Sequence, residues 1–166
     1  IFPNVFIGKG VKIESESSIL PFCHLENCSI KKNVSVGPFA RIRNNTVLNQ
    51  NTKIGNFVEL KNVISGNEVK INHLSYLGDT SIGKFSNIGA GSITCNYDGH
   101  KKNKTFIGSN AFVGSNSTMV APLKIGNNST IGAGSVITEN VNNGDLAIGR
   151  ERQVNKKDRS ITKKKN

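Results

Sequence analysis

Two cations, Arg43 and Lys61, stand eighteen residues apart in the first half of the chain. If the chain coils back on itself with that period, their side chains lie side by side on one face. Arginine offers a planar fork of donors and lysine a compact positive charge, and both suit a phosphate group. The spacing therefore predicts a phosphate grip, with two solvated surface charges as the alternative interpretation.

A histidine falls on the same wall as these cations. Here the aliphatic pattern advances by seventeen residues, so Asn56 is predicted to lie under His73 and Glu59 under Tyr76. A neutral imidazole accepts a proton near pH 7, which is what turns an ammonium into a nucleophilic amine. His73 is thus a candidate general base, and a structural or merely exposed histidine is the alternative.

A stripe of small residues follows later in the chain. Ser115 and Ala133 are eighteen residues apart, and Arg150 comes seventeen after Ala133. Stacked small side chains leave a groove in which an extended ligand can lie, with Arg150 available for its phosphates. The alternative is that coils need small residues at their corners.

All three arrangements depend on a six-residue repeat. Neither a helical face nor a two-residue alternation explains it, whereas a short strand plus a corner does. Three such units close one coil, so residues eighteen apart stack in parallel pairing. The pattern predicts a β-solenoid over residues 1–149 in which Ile107 lies under Ile125, Val113 under Ile131 and Met119 under Ile137. Aliphatic residues recur at this period at positions 1, 7, 13, 19 and 25, from 30 to 60, and from 107 to 137.

One long interruption separates two stretches of the repeat. Residues 95–106, CNYDGHKKNKTF, are polar, basic and rich in turn residues. We expect them to form a loop that projects from the coil wall, because loops on a rigid scaffold commonly carry sites. A neutral insertion is the alternative.

The net charge of +11 is concentrated at the C-terminal end. Residues 150–166 carry eight Lys or Arg against Glu151 and Asp158. We expect a solvated end, with a grip on an anionic ligand or on nucleic acid as the alternatives. No aromatic residues interleave the tail, which argues against single-strand nucleic-acid binding. An odd set of three cysteines and the lack of a long apolar run predict a cytoplasmic protein without a membrane span.

Five ordered motifs stand out along the chain. They are GPFARIRNNTVL at 37–48, IGNFVELKN at 54–62, NHLSYLGD at 72–79, NIGAGSITCNYDG at 87–99 and FVGSNSTMVAP at 112–122. Together, over about residues 1–150, they resemble the acetyltransferase domain of the bacterial bifunctional N-acetylglucosamine-1-phosphate uridylyltransferase/glucosamine-1-phosphate N-acetyltransferase. The resemblance implies an all-β, left-handed parallel β-helix, a homotrimer with active sites shared between subunits, acetyl-CoA as donor and glucosamine 1-phosphate as acceptor.

The resemblance also implies roles for single residues. His73 is the expected general base, and Lys102 and Glu59 match supporting positions. The expected sugar-phosphate contacts are Arg43, Lys61, Tyr76 and Asn87. The expected acetyl-CoA contacts are Ala90, Asn96, Tyr97, Ser115, Ala133 and Arg150.

Further expectations concern what this chain does not contain. We expect the family's uridylyltransferase domain, with its magnesium and UTP site, to be absent, and we expect no metal in this domain. A zinc carbonic anhydrase on the same architecture would need three clustered histidines, but His24, His73 and His100 are poorly spaced. The remaining alternative is a non-catalytic or nucleic-acid-binding basic β-solenoid.

Overall fold

The repeat folds as a parallel β-solenoid of about eight turns, described here by a computed structural model for residues 1–157. The regular elements of that part of the chain are all short strands, with no helix. This confirms the predicted all-β solenoid. The left-handed sense implied by the resemblance stays a prediction.

Twenty-one strands follow one another along the described residues. They are β1 (Phe6–Ile7), β2 (Lys12–Ile13), β3 (Ser18–Ile19), β4 (His24–Leu25), β5 (Cys28–Ile30), β6 (Ser35–Val36), β7 (Arg41–Arg43), β8 (Thr46–Leu48), β9 (Lys53–Asn56), β10 (Glu59–Ser65), β11 (Lys70–His73), β12 (Tyr76–Ile82), β13 (Asn87–Ile88), β14 (Ile93–Cys95), β15 (Thr105–Ile107), β16 (Phe112–Val113), β17 (Thr118–Val120), β18 (Leu123–Ile125), β19 (Thr130–Ile131), β20 (Val136–Ile137) and β21 (Leu146–Ala147).

The strands stack into three faces. The first face runs β1-β4-β7-β10-β12-β14-β17-β20, and the third runs β3-β6-β9-β11-β13-β16-β19-β21. The second consists of β2, β5, β8, β15 and β18 together with the later halves of β10 and β12, which turn the corner between the first two faces. Each coil therefore supplies one strand segment per face, as three six-residue units require.

The register between coils is the predicted one. The strand ladders are parallel throughout. Outside the long interruption neighbouring coils advance by seventeen or eighteen residues, except the last coil, which advances by sixteen. Three predicted stacks are confirmed as paired residues: Ile107 with Ile125, Val113 with Ile131 and Met119 with Ile137.

The interior is a single column of aliphatic side chains. Ile42, Leu60 and Leu77, one from each of three successive coils, are completely buried. Small hydroxyl residues close the corners, as where the Ser117 Oγ donates to the carbonyl of Gly114 at 2.6 Å. The alternation of aliphatic strand and hydroxyl corner explains how so few aromatic residues suffice for the core.

The interruption of the repeat is shorter than predicted. Cys95 still belongs to β14 and Thr105 already begins β15, so the excursion spans residues 96–104. Both ends remain in strand because neighbouring coils supply ladder partners, which local composition cannot reveal. Asn96 is also buried, at 6% exposure, rather than projecting.

The C-terminal tail leaves the solenoid at its last coil. Residues 150–157 are exposed and have no strand. The predicted basic tail continues through residues 158–166, which lie outside the described residues. Within residues 1–157 there is no helix with the length and apolarity needed to cross a membrane.

Candidate active site

Three cations meet on the first face. Arg43 of β7 and Lys61 of β10 are paired neighbours, which confirms their predicted stacking. The Lys102 side chain, from the excursion, reaches Lys61 and lowers the pKa of its ammonium, with further lowering from burial and from the Arg43 charge and partial compensation by Asp79. The cluster thus has a net positive charge even with the Asp79 carboxylate beside it. A doubly charged anion would reduce the repulsion among the three cations.

Glu59 orients the guanidinium of Arg43. The Arg43 Nε donates to the Glu59 Oε1 at 2.8 Å, and Nη2 lies 2.7 Å from the same oxygen in an ion pair. Nη1 donates to the Asn44 Oδ1 at 3.0 Å. Glu59 itself lies beside Tyr76, as the register predicted. Arg43 is therefore held in one orientation, which lowers the entropy that it loses when it binds an anion.

His73 ends β11 at the corner that leads back to the first face. Asn56 is its partner in the preceding coil, as predicted, and the Asn56 Oδ1 lies 2.9 Å from the His73 Nδ1. In the neutral ring, an amide oxygen facing Nδ1 favours the tautomer with its hydrogen on Nδ1, which leaves the Nε2 lone pair free. The His73 carbonyl accepts hydrogen bonds from the Ser75 Oγ and the Gly91 N–H. The exposed imidazole is thus oriented by Asn56 on a hydrogen-bonded corner.

A column of small residues continues from His73 along the same corner. The register places Ala90 after His73, then Ser115, then Ala133. Backbone hydrogen bonds of 2.7 and 2.8 Å tie the successive corners together. The Arg150 Nε donates to the carbonyl of Ala133 at 2.8 Å. The predicted stripe therefore exists as one continuous column, to which the structure adds Ala90.

Two other expected sugar contacts lie on either side of the His73 corner. Tyr76 begins β12, immediately past the corner, and is half-buried. Asn87 begins β13 on the third face and pairs with Lys70 and Phe112. Both belong to coils that border the His73 corner.

The excursion folds back on itself around Asp98. Its carboxylate accepts hydrogen bonds from the backbone N–H groups of Lys101 and His100, at 2.8 and 2.9 Å, and from the Asn103 Nδ2 at 2.8 Å. These bonds lower the pKa of Asp98 to about 2, the Lys101 N–H most. The loop that carries Lys102 is therefore internally organised.

The two expected acetyl-CoA contacts in this segment have different environments. The Asn96 Nδ2 donates to the Asp79 Oδ2 at 2.5 Å, from a buried position at the root of the loop. Tyr97 is 61% exposed, and its hydroxyl donates to the carbonyl of Gly99 at 2.6 Å. Asn96 is thus a fixed group, whereas Tyr97 lies on the loop surface.

Three residues at the site were not assigned a role from the sequence. Asn56 was placed under His73 by the register, which was the available signal. Asp79 occupies the same corner position as Asn62 one coil earlier, so the repeat could have identified it. Asp98 precedes Gly99 in a turn-forming dipeptide, a signal for a loop-closing carboxylate.

The charged cluster does not have the composition of a metal centre. In the part of the chain that the structure describes, no three His, Cys, Asp or Glu side chains converge. His24 stacks on the ring of Phe6 with centroids 4.4 Å apart, an arrangement unrelated to His73.

Curated relatives match almost the whole chain. It is 59% identical over 157 residues to the bifunctional protein GlmU of Wolbachia pipientis wMel, which covers 95% of this chain and 36% of the relative. Against the bifunctional protein GlmU of Anaplasma marginale (strain Florida) it is 50% identical over 156 residues, covering 94% and 36%. The chain therefore spans about a third of the length of the curated relatives it matches.

The repeat is also recognised independently. The family described as bacterial transferase hexapeptide (six repeats) matches residues 104–139. The solved structure of the polySia specific acetyltransferase NeuO superimposes with a TM-score of 0.63 at 18% identity, covering 95% of this chain and 91% of that one. At that identity the likeness supports the solenoid fold alone.

Proposed function

This chain is homologous to the C-terminal part of the bifunctional GlmU proteins, and on that premise we propose that it transfers an acetyl group from acetyl-CoA to the C2 amine of glucosamine 1-phosphate. The observation that carries the proposal is the arrangement at one corner. His73, whose Nδ1 faces the Asn56 Oδ1, lies at the corner between the face that carries the cations and the column of small residues. These are the three parts that the two substrates need.

The sugar phosphate is assigned to the charged cluster. Arg43, fixed by Glu59, supplies planar donors, and Lys61 and Lys102 supply point charges. Tyr76 and Asn87 are proposed to contact the sugar. A phosphate dianion there reduces the repulsion among three crowded cations, and this relief favours its binding.

Acetyl-CoA is assigned to the column beyond His73. Ala90, Ser115 and Ala133 leave room for the extended pantetheine arm, and Arg150 stands at the far end, where the phosphates would lie. Asn96 and Tyr97 border the donor from the excursion. The thioester is proposed to lie at the end of the column nearest His73.

The proposed reaction is direct transfer with both substrates bound. The C2 ammonium loses one proton to solvent. As the amine nitrogen then attacks the thioester carbonyl carbon to form the C–N bond, the His73 Nε2 takes a second proton from that nitrogen. The C–S bond then breaks, and the imidazolium returns its proton to the departing thiolate of coenzyme A. Holding the amine and the thioester together supplies much of the rate.

Removal of a cation tests the phosphate assignment. Lys61→Ala and Arg43→Ala are each expected to raise the KM for glucosamine 1-phosphate on the order of 10- to 100-fold, the worth of a charge-assisted hydrogen bond. The KM for acetyl-CoA should change little. Lys12→Ala, on an exposed strand of the second face, is the matched control. Unchanged acceptor kinetics in both site variants would refute the grip.

We also propose that the protein is a homotrimer. Phe22, Phe39 and Phe57 form an exposed ladder along the His73 corner, with ring centroids 4.9 and 5.1 Å apart. Leu74, 62% exposed, extends the ladder directly beside His73. An apolar strip of this kind favours a protein partner, and a neighbouring subunit there would border the site.

Sedimentation equilibrium tests the assembly. We expect a mass three times the 17.9 kDa of one chain. Phe39→Ser should shift the equilibrium toward monomer, whereas Phe106→Ser, an exposed phenylalanine on the second face, should not. A monomer at all concentrations would contradict the proposal.

The product would be N-acetylglucosamine 1-phosphate, a precursor of UDP-N-acetylglucosamine and hence of peptidoglycan and lipopolysaccharide. We propose a cytoplasmic location, which the three free thiols support because a reducing compartment keeps cysteines unpaired.

A further inference from the structure

Asp79 occupies a corner at which the backbone has a positive φ of 50°. Asn62 takes the same position one coil earlier, with a φ of 55°, and its Nδ2 donates to the Asp79 Oδ1 at 2.6 Å. Asparagine and aspartate both tolerate this left-handed conformation. The backbone therefore does not require a carboxylate here, and the reason for one must lie in its contacts.

The second oxygen of Asp79 fixes the orientation of Asn96. A carboxylate only accepts hydrogen bonds, so the Asn96 amide must turn its nitrogen toward Asp79 and its oxygen away. Among the described residues the Asn96 Oδ1 has no hydrogen-bond partner. Two other side-chain oxygens there also lack a partner and are sealed from solvent, Thr105 Oγ1 and Ser135 Oγ, but the Asn96 Oδ1 is not sealed in this way. The Asn96 Oδ1 is thus an acceptor without a partner on a largely buried side chain, and it is not closed off from solvent.

Gly78 provides the space in which this amide lies. A Cβ there would lie 2.6 Å from both the Asn96 Nδ2 and the Tyr76 hydroxyl oxygen. The Gly78 backbone cannot easily yield, since its N–H donates to the Thr94 Oγ1 at 2.7 Å and its carbonyl accepts from the Thr80 Oγ1 at 2.8 Å. Tyr76 and Asn96 therefore meet over one bare α-carbon.

The surrounding charges keep Asp79 ionised. Partial burial raises the pKa of its carboxyl, but the hydrogen bonds from Asn62 and Asn96 and the charges of Lys61 and Lys102 outweigh that effect and lower it. At neutral pH the carboxylate is thus a permanent acceptor for the Asn96 amide.

We propose that Asp79 is a positioning residue, which holds the Asn96 side-chain amide over Gly78 with its Oδ1 turned away from the carboxylate and so sets the donor against the acceptor. The inference rests on the proposed function, in which Tyr76 belongs to the sugar site and Asn96 to the acetyl-CoA site. Asn96 contacts the donor, and Asp79 acts through it.

A pair of glycine variants separates positioning from stability. Asp79→Gly keeps the left-handed corner but frees the Asn96 amide to rotate, so the Kd for coenzyme A should rise about tenfold and kcat/KM should fall by at least as much. Asn62→Gly removes the other hydrogen bond of the same carboxylate at an equivalent corner. The thermal stability of Asn62→Gly should fall about as much as that of Asp79→Gly, but its Kd for coenzyme A should stay at the wild-type value.

Two further variants complete the test. Asp79→Asn should bind coenzyme A almost as tightly as the wild type, unlike Asp79→Gly. The exposed Asn62 amide can turn its oxygen toward the new amide nitrogen at position 79, so the new amide oxygen stays free to accept from Asn96. Gly78→Ala, with Asp79 intact, should weaken binding by crowding Asn96, whereas Gly8→Ala, whose nearest neighbours lie 3.3 Å away, should not.

Titration calorimetry with coenzyme A gives the Kd without reference to turnover. Equal Kd values for wild type and Asp79→Gly, or parallel losses in Asp79→Gly and Asn62→Gly, would overturn the inference, as would a wild type that does not bind coenzyme A. A wild type that binds coenzyme A but does not acetylate glucosamine 1-phosphate would refute the proposed acceptor alone.

Discussion

Replacing His73 with alanine is expected to lower kcat for acetyl transfer about 10²- to 10⁴-fold, the usual contribution of a general base. Both KM values should stay within a few-fold of wild type, because the cation cluster and the small-residue column remain. The fold should also remain, since the only side-chain hydrogen bond of His73 within the described residues is to Asn56.

Two variants serve as matched controls for His73→Ala. His24→Ala removes a histidine that stacks on Phe6 away from the site and should retain full activity. Asn56→Ala keeps His73 but removes the amide that favours the hydrogen on Nδ1, so kcat should fall less than in His73→Ala. Acetylation at a near wild-type rate by His73→Ala, measured by release of the coenzyme A thiol, would remove His73 from the mechanism.

Replacing Leu60 with alanine is expected to lower the free energy of unfolding by about 2–5 kcal/mol, the cost of a cavity in a packed core. Leu60 is fully buried between Ile42 and Leu77 in successive coils. Glu59 and Lys61 flank it, so activity should fall together with stability.

The control lies on the same strand. Ile64 is 52% exposed, and Ile64→Ala should change the free energy of unfolding by less than about 0.5 kcal/mol. The denaturant midpoint of each variant, followed by circular dichroism, provides the comparison. Equal midpoints for the two variants would mean that the aliphatic column is not the core that stabilises the solenoid.

The coil register was predictable from the sequence because it depends only on where aliphatic residues recur. That rule placed Arg43 beside Lys61 across an eighteen-residue coil and Asn56 beside His73 across a seventeen-residue one. It also placed Arg150 near the Ala133 corner, but the last coil advances by sixteen residues, so Arg150 lies one residue past the position that stacks on Ala133 and reaches its carbonyl through the side chain.

The hydrogen bonds within the site were not predictable in the same way. The orientation of Arg43 by Glu59 and that of Asn96 by Asp79 depend on rotamers and on corner conformation, which a repeat pattern does not specify. The bounds of the excursion were also beyond local composition, because coils distant in sequence supply the ladder partners of β14 and β15.

The measurement that tests the central claim most directly is release of coenzyme A thiol from acetyl-CoA, with the acetylated sugar identified by mass. Glucosamine 1-phosphate should be acetylated at the C2 amine, and glucosamine 6-phosphate should be a far poorer acceptor, because the cation cluster must bind the phosphate while His73 reaches the amine. No thiol release with glucosamine 1-phosphate, together with salt-dependent binding of the protein to nucleic acid, would contradict the account.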